Sequence, residues 1–178
     1  MSKQELVLVA AELRKIGNEV QKVLGCGFNE VIFQNAMAIE FRKRKIEYLK
    51  EVNIEIFYKG ESVGVDRPDF IVTKMSSFGA PILLELKISD KISDSHRTQL
   101  KSYCTSLPKN SNPALKGFAG GILMSFPQND PEAFSKVRIF LVDPEFNCLV
   151  DDQQEEDDRL LAEKQRSNEE KKKKKDKS

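Results

Sequence analysis

Apolar residues Leu6, Val9, Leu13, Ile16, Val20 and Val23 recur at helical spacing and predict an amphipathic helix over residues 4–24. Gly25-Cys26-Gly27 breaks that pattern. Asn29 then stands as the N-cap of a second helix running to about residue 44, with Glu30 in the first turn, where an acid suits the helix dipole. The period next changes from helical to two. Val52, Ile54, Ile56 and Tyr58 alternate, which predicts a strand over residues 52–58. Lys59-Gly60-Glu61 turns the chain into a second strand, residues 62–73, and a looser turn over 74–81 leads to a third, residues 82–88. A helix over 94–107 and strands over 118–126 and 137–142 complete the pattern. The order is helix, helix, three antiparallel strands, helix, strand, strand. It predicts an α/β (α+β) domain in which a mixed central β-sheet is flanked by helices.

Beyond residue 150 the periodicity stops. Residues 151–158 form an acidic block and residues 171–175 are all lysine. Such runs repel themselves and bury nothing, so 1–150 reads as the folded domain and 151–178 as a charged tail, disordered or forming a solitary helix over about 159–170. The tail holds ten of the 28 acidic and nine of the 29 basic residues, which leaves the body 18 acidic and 20 basic, about +2. A body so close to neutral is not one held to nucleic acid by bulk charge, and any such contact must come from local clustering. No apolar stretch approaches the ~18 residues that span a bilayer, so no membrane partner is expected. The polar start, Met-Ser-Lys-Gln-Glu, is a poor signal peptide, and the expected location is intracellular. The lysine run is open to two readings, a nuclear localisation signal or nucleic-acid tether, and a solubilising end. Cys26, Cys104 and Cys148 are odd in number and widely spaced. They suit neither a disulfide framework nor an iron–sulfur cluster and read as ordinary thiols.

The candidate chemistry lies in the strands. Side chains alternate across a strand, so in residues 82–88 one face is wholly aliphatic (Ile82, Leu84, Leu86, Ile88) while Glu85 and Lys87 share the other. Asp69 precedes the apolar run Phe70-Ile71-Val72, typical of a buried central strand. Pairing of these strands through the 74–81 turn would bring Asp69 near Glu85. Two carboxylates and one ammonium would then meet where burial is expected, and buried charge is costly unless paired or metal-bound. Hard oxygen ligands suit Mg²⁺ or Mn²⁺, and such a cation lowers the pKa of a bound water. The competing reading of Glu-x-Lys is a solvated ion pair on an exposed strand.

Two helices add to the case. Glu40 shares a mainly apolar helical face with Phe33, Ala36 and Met37, so its carboxylate faces a cleft or snorkels to water. His96, Gln99 and Tyr103 share one face of the later helix, able to meet a phosphate or orient a ligand; otherwise they are a surface histidine, a polar contact and a core aromatic. Arg42-Lys43-Arg44-Lys45, with Arg97 and Lys101, is the best candidate for phosphate contact, against the plain alternative of a solvated helix end.

In this order the segments resemble the GxxExxY family of the PD-(D/E)XK nuclease superfamily, relatives of RecB-type nuclease domains. The resemblance runs from about Gly27 to Phe126. It rests on Gly27-x-x-Glu30, the run from Gln34 to Arg42, Tyr58-Lys59-Gly60 with Val63-Gly64, Arg67-Pro68-Asp69, Leu84-Glu85-Leu86-Lys87, His96-x-x-Gln99 with Tyr103, and the run from Gly121 to Phe126. Phe33 stands where the family's name places tyrosine, which removes a hydroxyl but no metal ligand. The resemblance implies a restriction-endonuclease-like core and a Mg-dependent nuclease acting on DNA. Asp69, Glu85 and Glu40 would be its metal ligands, Lys87 its catalytic lysine, and Gln99 and Tyr103 its Q-x-x-x-Y element. It also fits a homodimer or a larger repair or processing complex. The competing function is a non-catalytic nucleic-acid-binding or complex-assembly module that keeps the fold.

Overall fold

The computed structural model of the chain describes residues 1–75, 78–129, 136–155, 157–160 and 162. Helices α1 (Lys3–Leu24) and α2 (Glu30–Lys43) come first, followed by β1 (Glu47–Lys50), β2 (Ile54–Tyr58), β3 (Glu61–Asp66), β4 (Phe70–Lys74) and β5 (Ile82–Ile88). Helix α3 (Asp94–Ser106) then leads to β6 (Gly120–Phe126), β7 (Arg138–Val142) and β8 (Cys148–Asp151). Six strands form one mixed sheet in the order β1-β4-β5-β6-β7-β8, parallel at β5/β6 and antiparallel at every other pairing. The parallel pair needs a crossover, and α3 lies in it.

The sheet is covered on both faces. On one, Phe70, Val72, Leu84, Leu86, Ile122 and Met124 pack with Leu6, Leu13 and Ile16 of α1 and Phe33, Met37 and Phe41 of α2. On the other, Ile71, Leu83, Leu123 and Phe140 pack with Leu100, Tyr103 and Cys104 of α3. The stripe foreseen for α1 is buried from Leu6 to Val20, but Val23 is 78% exposed, while Gln21 and Leu24 of the same turn face the core. Helix α3 sits close on β6: a Cβ added at Gly121 would lie 2.6 Å from Cys104 Sγ, so only glycine leaves room for this approach.

The strand expected over 62–73 is two strands with different partners. Strand β3 pairs only with β2, in a separate ribbon closed by Lys59 and Gly60, both at positive φ as a two-residue hairpin turn requires. The break falls at Arg67-Pro68, since proline has no N–H for a ladder. Strand β4 then joins the main sheet between β1 and β5. Strands β1 and β8 were not foreseen; each has four residues and lies at a sheet edge, with no clean alternation to announce it.

The acidic stretch after residue 150 begins inside the sheet. Asp151 ends β8 and accepts two bonds from Arg97 at 2.8 and 2.9 Å. Asp152 accepts from Arg14 and from the Ile139 amide, both at 2.8 Å. Gln153 is buried and accepts from the Ile92 amide. Residues 152–155 and 157–160 are helical. Most of the 159–170 stretch and the lysine run lie outside the described residues. Among the described residues no helix is long and apolar enough to cross a membrane.

Candidate active site

Strands β4 and β5 pair with Phe70 opposite Leu84, which sets Asp69, one residue before β4, beside Glu85 on β5. The Asp69 backbone is held from both sides. Its carbonyl accepts from the Glu51 amide at 3.0 Å, and its amide donates to Glu85 Oε2 at 3.3 Å. Asp69 Oδ2 accepts from the Leu86 amide at 2.7 Å, and Oδ1 from Gln34 Nε2 at 2.7 Å. Lys87 Nζ donates to Glu85 Oε1 at 2.9 Å. The aliphatic face of β5 lies against α1 and α2, and Leu83 packs toward α3 on the face shared by Glu85 and Lys87.

Both acids are buried, Asp69 at 7% exposure and Glu85 at 3%. Burial, then the Glu85 charge, pushes the Asp69 carboxyl up to about 7, against the Leu86 hydrogen bond. Burial also raises Glu85, with Lys87 as its main relief. Burial works against the Lys87 charge, but Glu85 outweighs it and keeps the amine an ammonium. Two carboxylates thus share one cation and sit with surplus negative charge.

Gln34 and Glu30, four apart on α2, add to the site. Neither was foreseen in that role. Gln34 is buried, ties Asp69 to the helix, and leaves its Oε1 as a buried acceptor with no protein partner. The Glu30 charge raises Asp69, Glu85 and Lys87 alike. The signal was present in the sequence: an amide on the otherwise apolar Phe33/Met37/Phe41 stripe, with an acid one turn before it.

Glu40 does not occupy the place expected of it. It lies six residues past Gln34, about 9 Å along the helix axis and two-thirds of a turn around it. There it is held by Lys43 at 3.0 Å and by Arg44, which lower its pKa. The basic cluster is largely engaged as well. Arg44 also pairs with Glu19, Arg42 donates to the Tyr48 hydroxyl, and Lys101 lies over the Phe146 ring. Arg97 serves Asp151.

On the opposite wall, Gln99 Nε2 donates to the Tyr103 hydroxyl at 3.1 Å. Burial, then Glu85, raises the Tyr103 pKa, with Asp66 of β3 also hydrogen-bonded to it. Gln99 and Tyr103 thus stand beside Glu85, on the α3 side of the sheet.

Among the described residues no group of three or more His, Cys, Asp and Glu side chains forms a ready-made metal cage. The donor set is two carboxylates with a third acid nearby. That suits a hard divalent cation that keeps several waters, and the unpartnered Gln34 Oε1 suits a water at its edge.

No curated protein matches the chain. A family model described as the PD-(D/E)XK nuclease superfamily matches residues 9–136, from α1 to the approach to β7. That span takes in Asp69, Glu85, Lys87, Gln99 and Tyr103, and the mixed six-stranded sheet between helices agrees with a restriction-endonuclease-like fold. The chain belongs to the PD-(D/E)XK nuclease superfamily.

Proposed function

We propose that the chain is a divalent-metal-dependent nuclease of the GxxExxY type that hydrolyses phosphodiester bonds in DNA with Mg²⁺ or Mn²⁺. The observation that carries this reading is the charge deficit of the site. Buried Asp69 and Glu85 share the single ammonium of Lys87, and burial drives both carboxyls toward protonation. A divalent cation offsets that surplus. Asp69 and Glu85 would hold it, with Glu30 and Gln34 reaching its waters. Bound there, it would supply Lewis acidity and a water of lowered pKa.

The protein's own groups account for the remaining tasks. The Leu86 amide and Gln34 fix the Asp69 carboxylate, so little reorganisation is needed when a charged substrate arrives. Lys87, kept protonated by Glu85, is a donor that orients the attacking water or stabilises charge on the phosphate. Tyr103 and Gln99 line the α3 side of the cleft. Cleavage of single- and double-stranded DNA with Mg²⁺ or Mn²⁺ tests the proposal, comparing wild type with Glu85→Ala and Lys87→Ala. Metal-dependent cutting that survives both substitutions would remove it.

A second reading draws on the engaged cations. Arg44, Arg97 and Lys101, which are among the foreseen phosphate contacts, are occupied within the protein. That favours a binding or assembly module with little turnover. Tight DNA binding or a stable protein partner without cleavage of any substrate would select it.

A further inference from the structure

We propose that His96 belongs to this site: from the first turn of α3, its Nε2–H donates a hydrogen bond to a non-bridging oxygen of the phosphodiester held at Glu85 and Lys87. The assignment rests on the nuclease reading and adds a substrate-contacting donor to it.

His96 is the third helical residue of α3 and closes a capping box with Ser93. The His96 amide donates to Ser93 Oγ, and the Ser93 amide donates to His96 Nδ1, both at 3.3 Å. An imidazole that accepts at Nδ1 while neutral carries its proton on Nε2, so one donor remains free of the cap. Partial burial, then the charges of Lys87 and Arg97, lowers the His96 pKa and keeps this tautomer at neutral pH.

The placement follows from two matched rows. His96, Gln99 and Tyr103 lie in line along one face of α3. Across from them, Glu85 and Lys87 lie in line along β5. Tyr103 feels the charge of Glu85, and His96 feels that of Lys87. Helix α3 lies in the crossover between the parallel strands β5 and β6, so it starts beside the end of β5 that carries Lys87, and His96 in its first turn stands at the lysine end of the row.

The choice of residue points the same way. Glutamate is the usual third residue of a capping box, and it favours the positive end of a helix. Here it would add negative charge to a site that already holds more than Lys87 can balance. Histidine closes the same box without that charge and keeps a donor toward the substrate.

The test separates cap from donor. His96→Ala, His96→Asn and His96→Gln are compared with wild type by thermal unfolding and by steady-state cleavage of single- and double-stranded DNA with Mg²⁺ or Mn²⁺. Asparagine can accept from the Ser93 amide but is too short to replace Nε2, whereas glutamine reaches further and carries an amide donor. The expected result is a wild-type melting temperature for His96→Asn, with kcat/KM lowered roughly 10- to 100-fold. His96→Gln should recover at least about fivefold of that loss. Alanine should lower both stability and rate. Wild-type cleavage by His96→Asn would make the residue a cap alone and overturn the proposal, as would a glutamine variant no faster than the asparagine one. Should wild type cut none of the strands, the nuclease reading fails, and the contact is judged by anisotropy of a labelled oligonucleotide in Ca²⁺. Affinity about tenfold weaker for His96→Asn then supports the contact, and equal affinities overturn it.

Discussion

Two buried aspartates of this protein are treated in opposite ways. Asp143, in the turn after β7, is 2% exposed, and Asp69 beside β5 is 7% exposed. Burial disfavours the Asp143 charge, but two bonds from the Asn147 side chain, one from its backbone amide and Lys3 at 3.0 Å outweigh that and pull its pKa down to about 2. Asp69 is pushed up to about 7 by burial and by a second carboxylate. The acids of the β8 edge resemble Asp143, since Asp151 has Arg97 and Asp152 has Arg14. Structural carboxylates here are each matched by donors and a cation. The Asp69/Glu85 pair has one lysine between two, and under the proposed function this shortfall is what would separate a site that receives a charged ligand from one that holds the fold.

The sharpest way to break the contrast is to change the charges of the pair. Glu85→Ala and Lys87→Ala should each lower the metal-dependent cleavage rate by about 10²–10⁴ in single-turnover assays. Loss of metal-stimulated cutting in neither variant would show that the pair is not the site.

The metal-free protein provides the second test. Asp69 binds its proton more tightly folded than unfolded, so between the two pKa values the native state holds the extra proton. Stability then falls as pH rises from about 4 toward 7. Urea unfolding without metal should show a loss on the order of 2 kcal/mol between pH 5 and pH 8, which Asp69→Asn flattens and Mg²⁺ reverses at pH 8. Asp143 has the opposite sign: its contribution is present above pH 4 and is lost as pH falls toward 2, and Asp143→Asn should remove that acid dependence. A stability that rises from pH 5 to pH 8 without metal would contradict the account of Asp69.

The paired acids should respond to loss of a cation rather than of a carboxylate. Arg97→Ala leaves Asp151 without its two-bond partner and takes the guanidinium off the Phe140 ring. It should cost about 1–3 kcal/mol in urea unfolding and leave cleavage unchanged. A cleavage defect larger than the loss of folded protein would place Arg97 in the substrate path instead.

The smallest effect separates the two acids of α2. Glu30→Gln should slow cleavage roughly tenfold by weakening the ligand sphere, while Glu40→Gln changes only surface ion pairs and should leave the rate within about twofold. Equal effects, measured with the same substrate and metal, would mean that the helix presents both acids to the site.

The sequence alone determined the helices, the central strands and the face on which their polar side chains lie. A strand with one aliphatic face and Glu85 and Lys87 on the other admits one burial in a covered sheet, because the side-chain period of two leaves no freedom. Helical spacing likewise settled α1 and the alignment of Gln99 with Tyr103. What the tertiary structure decided were matters of partnership. Strands β3 and β4 differ because one meets only β2 and the other enters the sheet, a distinction carried by partners distant in sequence. The edge strands β1 and β8 exist because neighbouring strands offer them hydrogen bonds, not because their own residues insist on it. On α2 both Glu30 and Glu40 lie on faces that could reach a cleft, and only the docking of the helix against β4 and β5 turned Glu30 and Gln34 toward Asp69 and gave Glu40 to Arg44. Periodicity tells which side of an element is buried, but not which neighbour lies there, and the charge balance of the site depends on the neighbour.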